Sequence, residues 1–174
     1  VNYKSEIIKE YFGNGEKLGI TIEYIYENKR MGTAGALSLL KEKPTQAFFV
    51  MNGDLLTNIN CADLLDYHKA NKSLATMGVR EFNMQVPYGV VNTIGSDIKT
   101  IEEKPTLNFF VSGGIYVLDP LCLEHIPENE FYDMPTLFEN LIEKKLKTTS
   151  YPINDYWLDI GRMEEFEKAN NEYD

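Results

Sequence analysis

The sequence predicts an α/β fold: a mixed, mostly parallel sheet with helices on both faces. Three observations predict it. Phe48-Phe49-Val50-Met51 is an unbroken apolar run that stops at Asn52-Gly53-Asp54, which reads as a strand buried on both faces. Residues 1–80 alternate helical and strand patterns as αβαβαβ, the order of a parallel sheet with crossover helices. The remainder changes character and begins with a hairpin pattern.

Each element has a local reason. A helix is expected over Glu6–Phe12, with Ser5 as N-cap and Gly13 as its stop. Ile20–Tyr26 alternates as a strand should. Glu27–Gly35 reads as a loop with two glycines, followed by a helix through Leu40. After the apolar strand, Asn60 caps a helix with Asp63 at its third position, carrying Leu64, Leu65 and His68. Leu74–Arg80 is a second buried-type strand. Tyr88–Ile94, a Gly95-Ser96 turn and Ile98–Lys104 form the hairpin. Phe109–Leu118 is a strand with Gly113-Gly114 inside it, as found at bulges or where a ligand meets backbone. Asp133, with Pro135 behind it, opens a helix through Lys145. Thr148–Ile153 reads as a strand, Trp157–Gly161 as a short apolar turn and Met163–Asn171 as a closing helix.

At 174 residues the chain fits one domain with a real core, and 43% hydrophobic against 25% charged residues marks it as globular. The net charge of −10 disfavours nucleic acid and acidic membranes as partners. A ligand phosphate would have to be met by a few placed cations, a metal or backbone N–H groups. Cys61 and Cys122 show neither a disulfide framework nor zinc spacing, so a reducing cytoplasm is expected. No apolar run approaches the ~20 residues of a membrane span.

Several motifs carry chemistry. Asp54 falls just past the carboxyl end of a strand, where open α/β sheets bind ligands. It is either a Mg²⁺ ligand or the cap of a turn. Gly32-Thr33-Ala34-Gly35 lets a flat ring approach the backbone and opens a helix whose N-terminus favours a negative group; taken alone, a helix start with a tight turn is the better explanation. In Glu102-Glu103-Lys104-Pro105, the proline is expected to hold Lys104 extended. The lysine can then meet a phosphate while a glutamate accepts sugar hydroxyls; without further context a solvated strand edge is the better explanation. Asp159 sits among bulky apolar residues in Trp157-Leu158-Asp159-Ile160-Gly161, where a charge needs a metal or a cap. His68 and His125 have no Ser or Cys partner in pattern, and no nucleophile triad is legible.

The order of these motifs resembles the sugar-1-phosphate nucleotidyltransferases, across nearly the whole chain, and is closest to the mannose-1-phosphate guanylyltransferase-like branch. The resemblance implies a Rossmann-like sheet and Mg²⁺, with an NTP and a sugar 1-phosphate giving an NDP-sugar and pyrophosphate for glycan precursor synthesis. It implies Asp54 and Asp159 as metal ligands and Lys104 on the phosphate. It places Gly89, Glu103, Ser112 and Gly114 on the sugar, and Glu27, Gly32 and Thr33 on the nucleotide. Strand alternation puts Glu102 and Lys104 on one face and Glu103 on the other, so the strand should end or bulge at Glu103.

Glu27 stands where uridylyl and thymidylyl members carry glutamine. A carboxylate only accepts hydrogen bonds, which suits guanine's two donors and points to GTP. Two departures stand out: Ser112-Gly113-Gly114 where members carry Asn-Ala-Gly, and a triphosphate loop and first central strand expected upstream of Val1. Residues 1–80 are then the remainder of a nucleotide-binding half and 81–174 a sugar-phosphate half. By itself the chain is expected to bind poorly and turn nothing over. A homo-oligomer and upstream CBS-like regulatory modules are compatible with the resemblance. Two rivals remain: a nucleotide-sugar sensor, and a glycosyltransferase, against which Asn52 replaces the first acid of an Asp-x-Asp.

Overall fold

The core is organised around β6 (Thr106–Leu118), which lies between β1 (Phe48–Met51) and β3 (Ala75–Gln85) and runs antiparallel to both. β7 (Thr148–Pro152) completes the order β1-β6-β3-β7 and is parallel to β3. Three strands thus run one way and β6 runs against them, a mixed sheet of mostly common direction. The structure, a computed structural model, describes residues 1, 4–161 and 163–172.

Alternation in β6 builds both sides of the sheet. Tyr116 and Leu118 join Leu137, Phe138 and Leu141 of α4 (Met134–Glu143). Ile115 and Val117 join Leu64 of α3 (Cys61–Asn71) and Ile153 on the other face. Helices therefore cover both faces, as expected. Each fully buried leucine here stabilises by about 1.5–3 kcal/mol relative to exposure. The α3 N-terminus matches its expected cap: Asn60 accepts a 3.0 Å bond from Ala62 N–H.

Several local expectations change. β1 is not buried on both faces: Phe48 and Val50 pack inward, but Phe49 and Met51 are 38% and 47% exposed. They share the α3 side of the sheet, yet α3 packs over β6 and β7 and leaves the β1 edge uncovered. Ile20–Tyr26 is not a strand. Ile22 N–H donates to Asn14 O at 2.9 Å, while at the other end the Val1 amino group donates to Ile25 O and Glu27 N–H to Val1 O, so among the described residues the segment has isolated backbone bonds and no continuous ladder. Ser5 lies inside α1 (Ser5–Phe12), and Lys4 takes the N-cap position without a side-chain cap. Trp157–Asp159 is not a turn but a strand, β8, antiparallel to β2 (Leu55–Thr57). The remaining elements are α2 (Gly32–Gly35), the hairpin β4 (Gly89–Ile94) and β5 (Asp97–Glu103), α5 (Met163–Glu172), and short 3₁₀ helices over Glu16–Leu18, Ala36–Leu39 and Pro120–His125, the second of which continues α2 in place of the α-helix expected through Leu40.

His68 is a structural histidine. It is 3% exposed, and Nδ1 shares a 2.8 Å hydrogen bond with Thr76 Oγ1, which continues through Thr149 to Ser73. Burial lowers its pKa below 6.5; Asp119 opposes the shift and Lys69 adds to it. The unfolded imidazole therefore takes its proton first as pH falls. The stability is complete above 6.5 and is lost as pH drops through that value toward the depressed folded one. The midpoint of thermal unfolding should fall more steeply from pH 7.5 to 5 in the wild type than in His68→Asn; equal slopes would remove His68 from the acid response. The two cysteines are unpaired: Cys61 is exposed, and burial pushes the Cys122 thiol up to about 12, which makes it inert at neutral pH.

Candidate active site

Two carboxylates far apart in the chain, Asp54 and Asp159, meet beyond the carboxyl end of β1. Leu55 of β2 pairs with Asp159 of β8, and Ile160 N–H donates to Asp54 O at 2.9 Å. Gly161 marks their convergence: a Cβ built there would lie 3.0 Å from Asp159 Oδ1 and 3.2 Å from Asp54 Oδ2. Gly161 N–H also donates to Asp159 Oδ1 at 2.9 Å, so the glycine both orients one carboxylate and leaves room for both. Both aspartates are exposed. Among the described residues no group of three or more His, Cys, Asp or Glu side chains could hold a metal by itself. Two open carboxylates suit a hard cation that completes its shell with phosphate and water, as Mg²⁺ does.

The Asn52-Gly53-Asp54 turn is held from β6. Asn52 N–H donates to Gly114 O at 2.9 Å. Gly114 has φ +68, and a Cβ there would meet Asn52 Nδ2 at 2.8 Å and Leu55 Cδ1 at 3.0 Å. Both conformation and space thus call for glycine. Two residues earlier, Ser112 Oγ lies 2.9 Å from the buried Tyr116 hydroxyl. No pattern in the sequence points to that tyrosine partner.

The hairpin brings Gly89 and Glu103 together as a register pair, with Glu103 Oε2 3.0 Å from the Cβ position of Gly89. β5 ends at Glu103, which still pairs in register and so keeps its alternation with Glu102; it is Lys104, the next residue, that leaves the strand. Lys104 differs from expectation. It stands at φ +47, not extended, because the chain must turn there to pass from β5 into β6 in another sheet. Pro105 is buried and its carbonyl accepts a 2.9 Å bond from Val86 N–H, while Lys104 itself is exposed.

On the nucleotide side, Glu27 Oε2 accepts a 3.2 Å bond from Met31 N–H, and Oε1 lies 3.9 Å from the amino group of Val1. The side of Gly32 that a side chain would fill is taken by Tyr132 O and Asp133 Oδ1, at 2.6 and 2.7 Å. The first amides of α2 are also taken: Thr33 N–H donates to Asp133 Oδ1, and Ala34 and Gly35 N–H donate to Tyr132 O, each at 2.9 Å. The negative group expected at this helix start is supplied by the chain's own Asp133. A sequence sign exists, since Asp133 opens α4, but nothing in it places α4 against residue 33.

Arg80 adds a contact that sequence reading misses. Its guanidinium lies 5.5 Å from the Trp157 ring centroid and donates to Trp157 O at 3.3 Å, while Trp157 Nε1–H donates to Gly113 O at 2.8 Å. Together they tie β8, and with it Asp159, to the main sheet.

The same architecture occurs in known proteins. The chain is 31% identical to a mannose-1-phosphate guanyltransferase of Schizosaccharomyces pombe, over 95% of this chain and 48% of that protein. It is 28% identical to a UTP–glucose-1-phosphate uridylyltransferase of Synechocystis, over 97% of this chain and 49% of the relative. The chain therefore spans about half the length of the curated relatives it matches. The crystal structure of HddC from Yersinia pseudotuberculosis superposes with a TM-score of 0.70 at 20% identity, covering 99% of this chain and 76% of that one, which shows the shared fold. The family model described as nucleotidyl transferase matches residues 1–174. With the fold and this match in agreement, the chain belongs to the nucleotidyl transferase family.

Proposed function

We propose that the protein transfers a nucleotidyl group from an NTP, GTP in preference, to a sugar 1-phosphate. The observation that carries this reading is the convergence of Asp54 and Asp159 on Gly161 at the carboxyl edge of the sheet. A phosphate oxygen of the sugar 1-phosphate attacks the α-phosphorus in line. The new O–P bond forms as the bond to the β-phosphate oxygen breaks, and pyrophosphate leaves with the electron pair. Asp54 and Asp159 would hold Mg²⁺, which supplies charge neutralisation at the phosphates when bound. The chain's own groups position the reactants. Lys104 meets the sugar phosphate as a point charge. Glu103, backed by Gly89, accepts sugar hydroxyls, and Ser112 and Gly114 of β6 are assigned to the sugar with it. The product feeds glycan precursor synthesis.

Glu27 selects the base. With one oxygen held by Met31 N–H, its carboxylate keeps acceptor capacity for guanine N1–H and the N2 amino group. In the intact protein, Glu27→Gln should lower kcat/KM for GTP relative to UTP or dTTP by about tenfold, because the amide turns an N–H toward a donor. Pyrophosphate release measured across the NTPs with a panel of sugar 1-phosphates tests both levels. An unchanged preference removes the base assignment, and no release from any pair removes the enzymatic reading.

A further inference from the structure

The start of α2 and the start of α4 cap each other. Asp133 holds the N-cap position of α4, yet its carboxylate makes no bond to its own helix. It accepts instead from Thr33 N–H at 2.9 Å and Thr33 Oγ1–H at 3.2 Å. Thr33 Oγ1 in turn accepts from Met134 N–H at 2.8 Å and so caps α4. Alongside, Tyr132 N–H donates to Met31 O at 2.9 Å, and Tyr132 O accepts from Ala34 and Gly35 N–H. Residues 31–35 and 132–134 are thus stitched from both sides. The far end of the stitch is firm, because Met134, Leu137 and Leu141 are fully buried.

This bonding decides what Thr33 can do. Phosphate oxygens accept hydrogen bonds and carry negative charge. Thr33 has two donors, N–H and O–H, and both are spent on Asp133 Oδ1. A phosphate brought there would meet a carboxylate and no free donor on Thr33, Ala34 or Gly35.

We propose that Thr33 and Asp133 are positioning residues: a reciprocal clamp that fixes the Gly32–Gly35 turn, and through it the nucleotide, against the end of α4, with no direct contact between the Thr33 side chain and the nucleotide. This rests on the nucleotide reading of that turn.

The test uses the intact protein with Asp133→Ala, Thr33→Val, their double variant, and the conservative Asp133→Asn and Thr33→Ser. Two readouts are combined: amide exchange at Thr33 and Ala34, and steady-state kinetics with NTP and sugar 1-phosphate varied separately. Exchange should accelerate about tenfold in Asp133→Ala and in Thr33→Val. KM for the NTP should rise about tenfold in each, with KM for the sugar 1-phosphate little changed. The double variant should be no worse than either single one, since both break the same clamp. The conservative substitutions Asp133→Asn and Thr33→Ser, which keep the acceptor and the hydroxyl, should restore both readouts. If Asp133→Ala does not fold, the near-isosteric Thr33→Val carries the same comparison. Unchanged exchange overturns the clamp. Faster exchange with unchanged NTP KM overturns its positioning role. A double variant whose loss is the product of the single losses shows that Thr33 touches the nucleotide independently. If the wild type turns over no NTP, the nucleotide reading has failed, and exchange still decides whether the clamp exists.

Discussion

Replacing Asp54 with Ala in the intact protein should reduce nucleotidyl transfer by about 10³-fold and leave the fold in place. The loss follows from removing one of two carboxylates that converge beside Gly161. Charge neutralisation by a bound metal is worth several kcal/mol at the transition state, and each decade of rate corresponds to about 1.4 kcal/mol. The fold survives for a local reason. Asp54 is exposed, and the part of it that joins β2 to β8 is its backbone carbonyl, which accepts from Ile160 N–H and is untouched by the change. The unfolding midpoint should therefore shift by less than the equivalent of about 0.5 kcal/mol. Asp159→Ala is a less clean experiment, because that carboxylate also accepts from Gly161 N–H. Steady-state rates with pyrophosphate detection, alongside thermal unfolding, check the pair of expectations. Retained turnover in a folded Asp54→Ala protein would falsify the metal assignment.

A large effect on stability should come from Gly32→Ala. Gly32 has φ +76, a conformation that costs a side-chain-bearing residue about 1–3 kcal/mol. The new Cβ would also stand 2.6 Å from Tyr132 O and 2.7 Å from Asp133 Oδ1. The first neighbour is backbone and the second is held by the clamp, so neither retreats cheaply. Overpacking of this kind adds about 1–3 kcal/mol. Together the loss should reach about 3 kcal/mol, a fall in unfolding midpoint of roughly 6–12 °C for a chain of this size. Gly13→Ala supplies the control: φ is +56, but nothing lies within 4 Å of its Cβ position, so only the conformational cost applies. Equal losses at the two glycines would mean that the contact with residues 132–133 contributes nothing.

The candidate site is legible in the sequence to different depths. Asp54 is readable because an apolar strand ending at Asn-Gly-Asp is a local pattern, and Asp159 because a carboxylate among bulky apolar residues demands a partner. Their meeting is not readable from either segment. It depends on β2 pairing with β8 across more than half the chain, where the sequence shows only a short apolar turn. Motif order singles out Glu103, and the structure pairs it with Gly89 at the last position of β5. Lys104 departs from its expected conformation because the residue before a proline prefers extended backbone, and the passage between two sheets overrides that preference. Ile20–Tyr26 has the right alternation, yet among the described residues it makes only isolated bonds, to Asn14, Gly15 and Val1, and no continuous ladder. The Gly32–Gly35 stretch invites a ligand-based explanation, and its nearest cause is the strap of residues 130–133.

Local rules are enough for the class of fold, the existence and approximate limits of most helices and strands, and the residue types able to bind metal, phosphate and sugar. Those properties depend on periodicity, capping and side-chain chemistry within a few residues. Strand order, the antiparallel placement of β6, the union of Asp54 with Asp159, and the mutual capping of Thr33 and Asp133 come from tertiary structure alone. Each is a contact between segments far apart in sequence, chosen by which surfaces can be buried together and which donors are left to satisfy. No local pattern carries that information.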